Sequence, residues 1–274
     1  MPIAREIGRR LPFRAAQELF GGNDFLNDYG QVAVDNMKAQ QGGKNIFANM
    51  MAEAEKGEQL DDLDVKLEAT ALIVAGTDTT AISLTYLVWA VLSQSSLQKE
   101  LEQEVAALPD GYRDADLERL PLLQAVIEES LRLYGAAPGM LPRAVPPGGV
   151  DLGGYYLPQA TTATTQSYSL HRDPNSFPDP DEFIPARWLP STSKDDKYRI
   201  SEAAKAVFSP FGAGSRTCAG IHLAYIELRL ATAEFFRRMS GVSLAPSATR
   251  ECMEQENYFL IAPRGHKCEI TMKR

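Results

Sequence analysis

From Ala69 to Leu92 the chain reads ATALIVAGTDTTAISLTYLVWAVL, an apolar run long enough to cross a bilayer as a helix. Asp78 stands near its middle, flanked by Thr77, Thr79 and Thr80. A carboxylate at the bilayer centre costs about 2.5–3.5 kcal/mol on insertion scales, and such residues are rare and functional. A helix that is apolar on every side also suits the centre of a large soluble core. We take that reading over a single-span membrane protein. Either way the helix must be covered, and a chain of 274 residues is long enough to bury it in a sizeable core.

The flanking pattern is mostly helical. Residues 1–68 read as polar helical pieces broken by Gly21–Gly22 and Gly42–Gly43. The start, MPIAREIGRRLPFRA, has charge but no apolar run behind it, which predicts neither a secretory signal nor a membrane anchor. SLQKELEQEVAAL (Ser96–Leu108) is an amphipathic helix with alternating charge signs. LERLPLLQAVIEESLRLYG (Leu117–Gly135) is another, with Gly135 expected in the left-handed C′ position. Prolines, paired glycines and short β-type runs follow from Pro138 to Thr165. Ser169–Ser193 is irregular and rich in proline and aspartate, and a long helix then runs to a stop at Gly241. NYFLIAP and CEITM read as strands near the C-terminus. These signals predict a mainly α protein with a small β component, one incomplete domain over residues 1–274.

Charge and cysteine content exclude several functions. With a net charge of −8 and no basic run that could track phosphates, no nucleic-acid partner is expected. Cys218, Cys252 and Cys268 include no Cys-x-x-Cys pair, which excludes a disulfide scaffold and a cysteine-rich zinc site and fits a reducing compartment.

The company of Cys218 is unusual: FSPFGAGSRTCAG (Phe208–Gly220) places it after closely spaced glycines and an arginine, with a helical pattern starting near Ala219. Nearby cations, backbone N–H donors and the positive end of a helix favour a thiolate over a thiol. Gly212, Gly214 and Gly220 would let the backbone take positive φ and approach a flat ligand, with Phe211 packed beneath it. A single thiolate with no second soft ligand suits an axial haem position. A buried structural cysteine and an activated catalytic thiol remain open on spacing alone, although none of the three histidines, His171, His222 and His266, offers an evident base.

Phe211-Gly212-x-Gly214-x-Arg216-x-Cys218-x-Gly220 resembles the haem-binding loop of the cytochrome P-450 family at every fixed position. Three further motifs of that family follow its order. Ala75-Gly76-Thr77-Asp78-Thr79-Thr80 resembles the oxygen-activating stretch of the long helix, Glu129-Ser130-Leu131-Arg132 its Glu-x-x-Arg, and Pro185-Ala186-Arg187-Trp188 its Pro-x-Arg-aromatic segment. The resemblance covers about residues 65–265 and implies the fold of that family, N-terminally truncated, with residues 69–274 as the haem-binding core. LHRDP and PARW are similar to eukaryotic, microsomal-type members, fungal ones included.

The resemblance implies roles residue by residue. Cys218 would be the axial ligand of the iron of haem b (iron protoporphyrin IX), with Arg216 and Arg143 on the propionates, where Arg–carboxylate pairing is strong. Gly76 would leave room for a ligand beside the helix, Thr79 would bond back to the Ala75 carbonyl, and Thr79 with Asp78 would relay protons to bound dioxygen. Read without the family, that stretch is a packing groove of small residues. Glu129 and Arg132, at i and i+3, read as an ordinary solvated pair, whereas the resemblance implies a buried network with Arg187. Lys194, Lys197, Arg199 and Lys205 could form a basic patch on the thiolate side, interrupted by Asp195 and Asp196.

The implied activity is a haem-thiolate monooxygenase. It would place one atom of dioxygen into a lipophilic small molecule, in secondary metabolism, with electrons from NADPH through a flavoprotein reductase. The alternative is a truncated, inactive member that binds haem weakly or not at all and acts by interaction. The family's Trp-x-x-x-Arg is missing, since the only tryptophans are Trp89 and Trp188, and the expectation is that an N-terminal portion is lacking. This chain is expected to be cytoplasmic, and a full-length relative to sit at the endoplasmic reticulum.

Overall fold

The computed structural model describes residues 12–13, 26, 28–32, 34–36, 39, 62–190 and 196–272. Most of the polar pieces expected over residues 1–68, and Lys194, lie outside them. The chain divides into two compact units, Met1–Asp78 and Thr79–Arg274.

The apolar run becomes α1, Asp62–Leu92, an unbroken helix with no proline inside it. By length and composition it could cross a membrane. Burial varies along it: Val65 and Ala69 are buried, residues 74–78 are exposed, and Ser83, Tyr86–Val88 and Ala90–Leu92 are buried again in a protein core. In the first unit, helical residues 28–32 pack on α1. A Cβ on Gly30 would fall 2.3 Å from Thr70 Oγ1 and 2.9 Å from Lys66 O, so only glycine allows that approach.

In the second unit, α2 (Ser95–Ala106) buries Leu97, Leu101 and Val105 in one stripe. After a short α3 (Asp114–Leu117) comes α4, Pro121–Tyr134, with proline at its first turn, where its missing N–H costs nothing. The orphan amides of Leu122 and Leu123 donate to Glu104 of α2 at 2.9 and 2.8 Å, an N-terminal cap supplied by another helix. On α4, Leu123, Val126, Ile127 and Leu131 face a core shared with Leu87, Val91, Leu101, Leu228 and Phe236. The helix ends differently from the expectation. Gly135 has φ −54°, ψ 130°, so it is extended rather than left-handed. Its glycine is required by proximity instead, since a Cβ would fall 2.8 Å from Leu131 O.

Among the described residues, four two-stranded antiparallel sheets form the β component. β1 (Met140–Ala144) pairs with β4 (Thr162–Gln166), Arg143 opposite Ala163. β2 (Val150–Leu152) and β3 (Tyr155–Leu157) form a hairpin across Gly153 and Gly154, whose φ values of 60° and 84° are those of a primed turn. α5 is one turn, Ser167–Leu170, and α6 is Glu202–Val207, capped by the Ser201 hydroxyl, which accepts from Ala204 N. α7 spans Ile221–Arg238, and Arg229 ties it to α3 through a two-pronged pair with Asp114, both contacts at 2.7 Å. The chain closes with β5 (Ser243–Leu244) paired to β8 (Ile270–Thr271), and a β6–β7 hairpin over Gln255–Tyr258 and Leu260–Pro263.

Candidate functional site

Glu129, Arg132 and Arg187 come together with their side chains essentially solvent-free. α4 presents the first two on the face opposite its apolar stripe, and a 3-10 turn, Pro185–Trp188, presents the third. Arg132 grips Glu129 with two parallel bonds, Nε to Oε2 at 2.9 Å and Nη2 to Oε1 at 2.8 Å. Its other three N–H groups donate to carbonyls: Nη1 to His171 O and Pro180 O at 2.7 and 2.6 Å, Nη2 to Glu182 O at 2.9 Å. All five donors of this guanidinium are therefore used.

The Glu129 carboxylate also accepts from Arg187 Nε at 3.2 Å, Ile184 N at 2.8 Å and Trp188 Nε1 at 2.8 Å. Arg187 Nη2 donates to Asp179 O at 2.8 Å, while Nη1 has no partner among the described residues. Burial lowers the Arg187 pKa, and the Glu129 charge opposes that shift. The pair reading of Glu129 and Arg132 understates this knot, because a side chain with such burial and so many partners is no solvated surface pair.

The ligand loop lies next to it and is built in the opposite way. Phe208 is wedged between two aromatic rings, with Trp188 at 4.6 Å and His171 at 5.2 Å between centroids. Phe211 packs on Tyr225 of α7 at 5.3 Å. Between these anchors Gly212 N donates to Ser209 O at 3.0 Å, and Gly212 and Gly214 take φ +75° and +74°, which side-chain-bearing residues rarely adopt. Gly220 does not share that role. Its φ is −89°, and it stands as the N-cap of α7, which begins at Ile221, near Ala219 as expected. Cys218 N donates to Phe211 O at 3.0 Å, and the cysteine itself is exposed.

Two arginines, Arg216 in this loop and Arg143 on β1, hold no carboxylate among the described residues. Arg216 ends the short 3-10 turn Gly214–Arg216. Arg143 gives one hydrogen bond, to its neighbour Pro142 O. Arg143 shares a face of β1 with Leu141, and Leu141 Cδ1 would lie 3.9 Å from a Cβ on Gly212. Exposed thiol, left-handed glycines and uncommitted cations form a donor set suited to a flat, anionic, thiolate-ligated group. The basic residues upstream are less free: Lys197 pairs with Asp179 at 2.7 Å and Lys205 with Glu202 at 2.8 Å.

On α1, Gly76 and Asp78 are exposed and belong to the first unit, and Thr79 opens the second. A Cβ on Gly76 would meet nothing within 4 Å among the described residues, so packing does not require this glycine. Thr70 and Thr85 on the same helix bond back to the carbonyls four residues earlier, each at 2.8 Å.

Two groups escaped the sequence reading. His171 is buried between Arg132 and the ligand loop, and burial pulls its pKa down to about 4. Glu128, beside Glu129, accepts from the Tyr225 hydroxyl, 3.2 Å from each oxygen, and burial raises its pKa to about 7 against that bond. The motif singled out Glu129 through Arg132 three residues on, whereas Glu128 carried no sequence signal of its own; its neighbour on α7 supplies one.

Residues 16–270 match the family model for cytochrome P-450, a haem-thiolate family, and the protein belongs to that family. It is 46% identical over 243 residues to cytochrome P-450 monooxygenase cypX of Dothistroma septosporum, covering 88% of this chain and 47% of the relative. It is 48% identical over 278 residues to cytochrome P-450 monooxygenase stcB of Emericella nidulans, covering 99% and 52%. With cytochrome P-450 monooxygenase aflV of Aspergillus parasiticus the identity is 42% over 277 residues, covering 98% and 53%. The chain thus spans about half the length of the curated relatives it matches. A crystal structure of a cytochrome P-450 superposes with a TM-score of 0.75 at 19% identity, covering 95% of this chain and 58% of the other, which supports the fold alone.

Proposed function

We propose that this chain, as one incomplete domain, holds haem b through Cys218 and serves a monooxygenase reaction on a lipophilic small molecule. The observation that carries the reading is the exposed Cys218 on a loop shaped by left-handed Gly212 and Gly214 and carrying Arg216, which has no carboxylate partner among the described residues. Cys218 would supply the thiolate, Phe211 and the glycines the surface beneath the ring, and Arg216 and Arg143 the cations for its two carboxylates. When bound, a haem with a thiolate ligand supplies dioxygen reduction and O–O cleavage. One oxygen atom enters the substrate and the other leaves as water, using two protons and two electrons. The electrons come from NADPH through a flavoprotein reductase.

Of this chain's own residues, Thr79 and Asp78 are the candidates to deliver those protons as general acids, with Gly76 leaving room beside the helix. Glu129, Arg132 and Arg187 are structural: they hold the segment from which the loop departs. The reading is tested on purified protein given haem, reduced and exposed to carbon monoxide. The absorption band of thiolate-ligated haem is expected, and Cys218→Ala should abolish it. Haem uptake without that band, or a band that survives the substitution, rejects the ligand assignment. A protein that takes up no haem favours an interaction role instead. Thr79→Ala should divert reducing equivalents to peroxide, and unchanged coupling would reject the relay.

A further inference from the structure

His171 is 1% exposed, and each of its ring nitrogens has a partner whose role is fixed. Ser209 N donates to Nε2 at 2.9 Å, and Nδ1 lies 3.1 Å from Arg132 O. An amide can only donate and a carbonyl can only accept, so the proton sits on Nδ1 and Nε2 is bare. Only this tautomer satisfies both Ser209 N and Arg132 O; the Val207 carbonyl also faces the ring, with a smaller influence on it than the Arg132 carbonyl. The grip is reciprocal, because Arg132 Nη1 donates to the His171 carbonyl at 2.7 Å. The imidazole is also flanked by rings, with Phe208 at 5.2 Å and Phe177 at 6.4 Å.

His171 thus links two elements through hydrogen bonds. One side is the fully bonded Arg132. The other is Ser209, the second residue of the Phe208–Gly220 stretch. Phe208 makes a parallel link, since its other neighbour, Trp188, donates to Glu129.

We propose that His171 is a positioning residue for the loop that carries Cys218: as the Nδ1–H tautomer it transmits the fixed position of Arg132 to Ser209 and sets where the loop begins. The inference rests on the reading of Cys218 as the haem ligand.

The test compares His171→Phe, which keeps a ring of similar size but removes both bonds, with His171→Gln, which returns an acceptor to Ser209. Leu101→Ala, in the core of α2, serves as a control adjusted with denaturant to the same unfolding free energy. His171→Phe is expected to speed hydrogen exchange of the Ser209 amide about 10-fold. It should also lower the thiolate-ligated fraction of the reduced, carbonyl-bound haem about two-fold or more. His171→Gln should recover most of both, and Leu101→Ala should change neither. Wild-type exchange and thiolate fraction in His171→Phe overturn the proposal, as does an equal loss in Leu101→Ala. If His171→Phe does not fold, nitrogen NMR of the wild-type ring decides, and a proton on Nε2 overturns it. A wild-type protein with no thiolate band would instead reject the haem reading, while the exchange and tautomer measurements still decide the link.

Discussion

Around Glu129 every buried side-chain polar atom but one has its partner among the described residues and solvent is shut out, whereas the thiol of Cys218 and the side chain of Arg216 stand exposed on a loop shaped by glycines. The two regions share the rings of Trp188, Phe208 and His171. Their difference shows where each kind of order comes from. The carboxylate knot is held by charge-assisted bonds that fix side chains on three segments at once. The loop is held by aromatic anchors and backbone geometry, so its thiol stays exposed. A loop can be open and still well placed when what precedes it is immobile.

The sharpest way to break this contrast is Glu129→Ala. It strands two buried guanidiniums and should lower the unfolding free energy by about 3–5 kcal/mol, read by urea titration. A loss below about 1 kcal/mol would mean that the knot behaves as a surface pair. Next in size is the pH response of Glu128. Its folded pKa of about 7 lies above the ordinary 4.5, so the native state holds the extra proton and stability should fall as pH rises from 4.5 to 7. His171, lowered from 6.5 to about 4, acts oppositely and loses stability as pH falls through that window. Glu128→Gln should therefore gain roughly 1–3 kcal/mol over wild type above pH 7. An identical pH profile in the variant would show that this carboxyl is well solvated.

Gly212→Ala forces a side chain into φ +75° and should cost about 1–2 kcal/mol. Urea midpoints would show it, while the exchange of amides around Glu129 stays at wild-type values. The smallest stability effect belongs to Cys218→Ala, within about 0.5 kcal/mol because the residue is exposed. That substitution should still remove the thiolate band entirely, so stability and ligation separate at this residue.

Much of the loop was legible because its information is local. Glycines, arginine and cysteine at fixed spacing state a backbone path and a donor set within a few residues. The apolar helix was legible for the same reason. Its exposed middle, residues 74–78, was not, because exposure depends on what other segments cover. Glu129 and Arg132 could be paired from their i, i+3 spacing, but their burial comes from carbonyls of residues 171–182. His171 was invisible because both its ring partners are backbone atoms, which any residue type supplies. Gly135 misled for a related reason: a glycine after a helix suggests a left-handed cap, yet here it answers to the nearby carbonyl of Leu131.

The carboxylate of Glu104, resting on the first amides of α4, has a consequence in time. Its partners are only 18 and 19 residues away, while those of Glu129 include Ile184 and Trp188 at 55 and 59. Loop closure costs less over the shorter separation, so the α2–α4 corner is expected to be in place at the folding barrier and the knot to close after it. Glu104→Ala should then slow refolding, whereas Arg187→Ala should chiefly speed unfolding, and stopped-flow traces showing the reverse would invert that order. The last part to assemble would be the one that fixes the start of the ligand loop, so the ligand's seat would be complete only when the rest of this unit has already folded.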